Sequence, residues 1–176
     1  MASVSFIIPV YNKEKYLDAV LNSLFNQSGA FKREFIFIND GSTDKSLEII
    51  NSKIKKKTNS FVISQNNKGS ASATNVGIKR ARYKYIKFLD ADDLIVFNAT
   101  DSLLEVIENN KNINLVFGLQ RKVSNLNKAN LDIKINTNSY KIVKDPLKKA
   151  MKNSMFNPSQ FLVRTKLCKT VGGCDE

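Results

Sequence analysis

The chain has 176 residues, 42% hydrophobic and 25% charged, the balance of a soluble globular chain with room for a real core. It contains no histidine, which excludes histidine triads, histidine general bases and histidine metal ligands from these residues, and its two cysteines, Cys168 and Cys174, make no disulfide framework and read as reduced thiols. The net charge of +12 fits either an anionic partner or abundant lysine solvating surface helices, as in the Lys53, Lys55, Lys56, Lys57 cluster, while no helix–turn–helix spacing, zinc pattern or aromatic-and-basic strand motif argues for nucleic acid.

Residues 4–9 are a near-continuous apolar run, the pattern of a strand buried on both faces, and Pro9, which has no N–H to donate, is expected to end it. The chain therefore opens on a strand and not on a secretory leader, and no later apolar run approaches the roughly 20 residues of a membrane span. Leu17, Val20, Leu21, Leu24 and Phe25 follow at the spacing of one helical face. Phe35-Ile36-Phe37-Ile38 reads as a second strand. Gly41-Ser42-Thr43-Asp44 turns the chain and offers capping side chains, and Leu47, Ile50 and Ile54 stripe a second helix. Phe61-Val62-Ile63 is a third strand. Residues 69–81 form a third helical segment with Ala73, Val76 and Ala81 inward, and Tyr85-Ile86-Lys87-Phe88-Leu89 is a fourth strand.

The second half is less regular. Leu103, Val106 and Ile107 mark a helix, Asn114-Leu115-Val116-Phe117 a strand, and residues 120–140, rich in Asn and Lys, a ribbon or a loop. Asp145 as cap and Pro146 at the first position open a basic amphipathic helix, with Leu147, Ala150, Met151 and Met155 on its apolar face and Lys148, Lys149 and Lys152 elsewhere. Phe161-Leu162-Val163 is a short strand, and a last helical turn or two over 165–171 stops at Gly172-Gly173.

Strands alternating with single helices predict βαβ crossovers and an α/β fold, a mostly parallel central sheet flanked by helices, in one domain over 1–176. Ligands of such sheets bind beyond the carboxyl ends of the strands. That rule gathers Tyr11-Asn12, Asn39-Asp40-Gly41, Asn66-Asn67-Lys68-Gly69 and Asp90-Ala91-Asp92 along one rim. Three carboxylates, Asp90, Asp92 and Asp93, follow the fourth strand. A hard divalent cation takes one or two such oxygens plus those of a phosphate-bearing substrate. Taken alone, these acids serve as well to cap the segment that follows them. Asp40 can equally belong to an Asp-Gly turn, Tyr11 can be a half-buried aromatic, and Glu14 can be an exposed first-turn acid facing a helix dipole.

Several segments together match one pattern. Ser5-Phe6-Ile7-Ile8-Pro9-Val10-Tyr11-Asn12 resembles the opening of the large, mostly bacterial family of inverting glycosyltransferases with the GT-A, Rossmann-like nucleotide-sugar-binding fold. Asn39-Asp40-Gly41-Ser42-Thr43-Asp44 is similar to its second motif, and Asn67-Lys68-Gly69 with Asn75-Val76-Gly77 to its third. Phe88-Leu89-Asp90-Ala91-Asp92-Asp93 resembles its DXD metal motif, and Val171-Gly172-Gly173-Cys174-Asp175-Glu176 its Gly-Gly-Phe-Asp-Glu segment.

The resemblance implies an enzyme that moves a sugar from a nucleotide sugar, most often UDP-linked, to a glycan or lipid-linked saccharide acceptor, assisted by Mn²⁺ or Mg²⁺. Pro9, Val10 and Tyr11 would flank the base with Tyr11 stacked on it, and Glu14 matches an acid of the same segment. Asp40 would accept a hydrogen bond from the base ring. Asp90 and Ala91 would approach the ribose, and Asp90 and Asp92 the metal. Residues 1–97 would form the nucleotide-sugar half and residues 98–176 part of the acceptor half. Thr74 stands where an Arg often precedes the Asn of the third motif, which leaves a phosphate contact to Lys68 or Arg80. The family's catalytic acid follows the Gly-Gly-Phe-Asp-Glu segment, so the base is expected after Glu176. The alternative is a nucleotide-sugar-binding module without transfer activity. A cytoplasmic location is expected, with the basic helices able to hold the protein at the inner, anionic face of the membrane.

Overall fold

The computed structural model describes residues 1–144 and 157–175. The expected helix from Asp145 onward, its lysines and Glu176 lie outside the described residues. Four strands and their helices alternate through the first half: β1 (Ser3–Val10), α1 (Glu14–Phe25), β2 (Lys32–Asp40), α2 (Ser46–Ile54), β3 (Ser60–Gln65), α3 (Ser70–Arg80) and β4 (Tyr85–Phe88). Then come α4 (Ala99–Asn109), β5 (Leu115–Phe117), β6 (Phe161–Arg164) and α5 (Thr165–Thr170). No helix among the described residues is long and apolar enough to cross a membrane.

The sheet runs β3-β2-β1-β4-β6-β5. The pairs among β1 to β4 are parallel, and β6 is antiparallel to both β4 and β5. Residues 120–140 form no ribbon; their one regular piece is a 3-10 turn over Leu126–Lys128. Pro9 does not end β1, which continues to Val10. The Ile7 carbonyl accepts the Leu89 N–H, so Ile7 faces β4, and Pro9, two residues on, faces the same side. There the registered pairing with β4 has already stopped at Ile7 and Phe88, so the missing N–H leaves no ladder bond unmade.

Alternation along β1 divides the core. Val4, Phe6, Ile8 and Val10 pack with Leu17, Val20, Leu21 and Leu24 of α1, Ile50 of α2, and Leu104 and Ile107 of α4. On the other face Ile7, Ile36 and Ile38 pack with Ala73 and Ile78 of α3 and Leu167 of α5. Each fully buried aliphatic side chain contributes roughly 1.5–3 kcal/mol, so the α1 stripe alone is a major part of the core. In α2 the stripe is shifted: Ile49, Ile50 and Ile54 reach the core, while Leu47 belongs to neither cluster.

Helix α3 approaches the sheet so closely that only glycine fits at position 77. A Cβ there would lie 2.3 Å from Ile7 Cγ2 and 3.0 Å from Ile38 Cδ1. Gly77→Ala is therefore expected to destabilise the fold by about 1–3 kcal/mol despite alanine's better helix propensity, because β1 and β2 must give way. Urea denaturation measures it, and a variant as stable as the parent would show that this packing yields freely.

Ser5, Glu34 and Lys87 are among the polar residues enclosed in the sheet. Ser5 and Glu34 are register neighbours on β1 and β2, and Lys87 lies in β4. The Ser5 hydroxyl donates to Glu34 Oε1 at 2.6 Å, and the same oxygen accepts the Arg82 N–H at 2.9 Å. Arg82 Nε donates to Glu34 Oε2 at 2.9 Å, and the Tyr83 N–H donates to Ser5 Oγ at 3.1 Å. Glu34 thus clamps the turn that launches β4.

Candidate functional site

The chain steps outward from β1 to β2 and β3, then returns to β4 on the far side of β1. The crevice between the carboxyl ends of β1 and β4 is the topological switch point of the sheet, the place where open α/β sheets hold ligands. Asp90, Asp92 and Asp93 follow β4 at this crevice. They cap no helix, since α4 begins only at Ala99; the Asp93 N–H closes a turn onto the Asp90 carbonyl at 3.0 Å.

Lys13 enters from the β1 side. Its Nζ lies 2.5 Å from Asp92 Oδ2, an ion pair that spans the crevice, with the two side chains 32% and 41% exposed. Asp90 is half-buried, and its N–H donates to Ser159 Oγ at 3.0 Å. Burial pushes the Asp90 carboxyl above its usual range, and the charges of Asp93 and Asp92 push it further, against the Ser159 hydroxyl and Lys13. Beneath the acids sits Lys87, 1% exposed, whose ammonium donates to the carbonyls of Phe88 and Ser159. Burial pulls the Lys87 pKa down to about 7, opposed by Asp93 and Asp90.

The neighbouring loops are tied to one another. Asp40 is 3% exposed: Oδ1 accepts from Gln65 Nε2 at 2.8 Å and the Lys68 N–H at 2.9 Å, and Oδ2 accepts the Gly69 N–H at 2.9 Å. A carboxylate has about four acceptor positions, so one on Oδ2 is still open. Gly41, at φ +73°, lets the β2 turn pass the same loop, where a Cβ would lie 2.8 Å from the Asn67 nitrogen. Asn12 takes a left-handed conformation, φ 51°, and its Oδ1 accepts the Thr43 N–H at 2.8 Å. Glu14 and Asp44 exchange caps: Glu14 Oε2 accepts the Lys45 N–H at 2.9 Å, and Asp44 Oδ2 accepts the Glu14 N–H at 3.0 Å. Each carboxylate thereby satisfies one free N–H at the start of the other helix.

Of the residues the sequence singles out, Tyr11 is 46% exposed and Lys68 is exposed at the rim. Val10 and Ala91 are 1% and 2% exposed with their side chains in the core, so what they present at the rim is backbone. Pro9 is half-buried inside β1. Arg80 stacks on Phe61 at 4.5 Å, near the start of β3 and away from the rim, so of Lys68 and Arg80 only Lys68 stands there. Asn75 clasps the Gly-Gly segment. Its Nδ2 donates to the Cys174 carbonyl at 2.8 Å, its Oδ1 accepts the Cys174 N–H at 2.7 Å, and any Cβ on Gly173, φ +95°, would strike that oxygen.

Lys13, Ser159 and Lys87 are the additions that sequence reasoning missed. Lys87 carried a signal, a lone charge in a strand expected to be buried on both faces. Ser159 carried none.

The donor set suits a divalent cation in part. Among the described residues no group of three acidic, cysteine or histidine side chains converges as a complete metal cage. Asp92 already holds a cationic group, and burial with the charges of Asp93 and Asp92 makes ionised Asp90 costly, which a cation bound there would relieve. One or two carboxylates with the remaining ligands from phosphate and water is the ordinary arrangement for Mg²⁺.

Residues 5–172 match the family model described as Glycosyl transferase family 2. An uncharacterized glycosyltransferase of Haemophilus influenzae is 43% identical over 111 residues, 62% of this chain and 44% of that protein. The poly-beta-1,6-N-acetyl-D-glucosamine synthase of Staphylococcus epidermidis is 35% identical over 137 residues, 78% of this chain and 32% of that protein. The crystal structure of S. aureus TarS 1-349 in complex with UDP superposes with a TM-score of 0.75 at 25% identity, covering 97% of this chain and 49% of that one. The chain spans less than half the length of these relatives.

Proposed function

This chain belongs to Glycosyl transferase family 2 and has the GT-A fold, and we propose that its rim binds a uridine-diphosphate sugar for inverting transfer to a glycan or lipid-linked acceptor. The observation that carries the reading is the set of carboxylates Asp90, Asp92 and Asp93 at the switch point, beside an Asp40 with one acceptor position open. The UDP held by the TarS structure supports uridine, and the likeness to the S. epidermidis poly-beta-1,6-N-acetyl-D-glucosamine synthase supports a glycan product.

In this reading Asp40 accepts the uracil ring N–H and Tyr11 stacks on the base, flanked by Pro9 and the Val10 backbone. Ala91 contributes its backbone beside the ribose, and Lys68 faces the diphosphate. Glu14 acts at a distance, holding the β2–α2 loop through Lys45. Asp92 and Asp90 hold a divalent ion, Mn²⁺ or Mg²⁺, which when bound stabilises the charge of the departing diphosphate. The acceptor hydroxyl attacks the anomeric carbon and gives its proton to a carboxylate that this reading places after Glu176. Residues 1–97 serve the donor and residues 98–176 part of the acceptor side.

Calorimetric titration tests the reading. UDP is expected to bind more tightly with Mn²⁺ than without, and more tightly than GDP. Asp92→Ala should remove most of the metal dependence while the fold stays intact by circular dichroism. A preference for GDP would overturn the uridine assignment, and metal dependence unchanged in folded Asp92→Ala would overturn the metal assignment.

A further inference from the structure

The Lys13 ammonium sits where a cation bound by Asp92 would sit. It is tethered to the opposite wall of the crevice and reaches Asp92 at 2.5 Å, across 79 residues of sequence. The backbone that carries it is fixed: the Lys13 N–H donates to Ser46 Oγ at 2.8 Å, at the start of α2. The side chain is about one-third exposed and its Nζ also lies 5.8 Å from the centre of the Tyr16 ring, so it can leave Asp92 without disturbing the backbone anchor.

Resting on the metal reading above, we infer that Lys13 is a built-in counter-cation that occupies Asp92 while the donor is absent and yields it when metal and diphosphate arrive together. The physical reason is competition for one carboxylate. A divalent ion held by Asp92 would stand within a few ångströms of the Lys13 ammonium, and at 4 Å the two cations repel by about 2 kcal/mol in water and more where water is excluded. A free metal ion must therefore displace Lys13 from Oδ2 or bind beside its positive charge, and either costs affinity. A metal carried with a diphosphate brings negative oxygens that give the displaced ammonium a new partner. Lys13 thus disfavours loading by metal alone and favours joint loading. It acts through Asp92 as a positioning residue.

The test is Mn²⁺ binding by electron paramagnetic resonance, with and without UDP, in the parent, Lys13→Met, Lys13→Arg and the double variant Lys13→Met/Asp92→Asn. Without UDP, Lys13→Met is expected to bind Mn²⁺ roughly 3- to 10-fold more tightly than the parent, the scale of a partly exposed ion pair plus relief of repulsion. Lys13→Arg should restore the weak binding of the parent, and the double variant should lose the gain. With UDP present the advantage of Lys13→Met should shrink or reverse. Equal Mn²⁺ affinity in parent and Lys13→Met, or weaker binding in Lys13→Met, would overturn the inference while leaving the metal reading standing. An absence of Mn²⁺ binding in every protein, with and without UDP, would overturn both.

Discussion

Asp40→Ala is expected to lower folding stability by about 3–5 kcal/mol and to weaken UDP at least roughly ten-fold. Both effects trace to one buried carboxylate. It accepts from Gln65, the Lys68 N–H and the Gly69 N–H. Hydrogen bonds to a charged group are worth roughly 1.5–3 kcal/mol each, and donors stranded without a partner add to the cost. Solvent can recover part of this, because Lys68 and Gly69 lie at the surface. The loop from β3 into α3 then loses its tether, and with it the placement of Lys68 beside the rim. Asp40→Asn separates the two roles. It keeps the volume, but its amide nitrogen donates where the carboxylate accepted, so stability should recover in part while uracil binding does not. Urea denaturation and UDP calorimetry on both variants check this. Affinity for UDP unchanged in a folded Asp40→Ala protein would leave Asp40 a structural tether only.

The second large effect lies toward the other end of β2. Glu34→Ala is expected to cost about 3 kcal/mol at pH 7, the lower end for breaking a buried ion pair, because the Arg82 side chain is 53% exposed and can turn to water. The pH dependence has a defined sign. Burial raises the Glu34 carboxyl, but the Ser5 hydroxyl and the Arg82 N–H and guanidinium outweigh it and hold it below the usual carboxylate range. In the unfolded chain the group titrates near pH 4.3. Between the two values the unfolded state binds more protons, so stability rises with pH. The contribution is complete above the unfolded pKa and lost as pH falls through the folded one. Denaturation midpoints at pH 7 and at acid pH, in the parent and Glu34→Gln, measure it. Glu34→Gln should show a shallower acid loss than the parent, and equal slopes would exclude Glu34 as the source. Since Glu34 clamps the turn before β4, acid should also loosen the acidic motif that β4 carries.

Much of this was legible from residue order. Leu17, Val20, Leu21 and Leu24 repeat at helical spacing, and all four are buried. The rim was legible for a topological reason: right-handed βαβ units place every strand-to-helix loop at the same edge, so the polar ends of β1 to β4 had to converge. The gaps are local rules met by long-range partners. Pro9 reads as a strand end because it lacks an N–H, yet its neighbouring strand has already departed at that level. Glu14 does stand in the first turn of α1, but a partner its neighbours do not announce is added, the Lys45 N–H, 31 residues away.

The sequence by itself determined the four alternating units, their apolar faces and the edge at which the polar loops meet, because periodicity and strand-helix alternation are written in neighbouring residues. Tertiary structure alone decided that β6 pairs antiparallel beside β4, that Ser159 meets Asp90 and the Lys87 ammonium, and that Lys13 reaches Asp92. Those partners stand 69, 72 and 79 residues apart. No periodic pattern specifies which distant side chain answers a buried charge. That choice falls to the packing of the whole sheet, which brings the ends of β1 and β4 within reach of one ion pair.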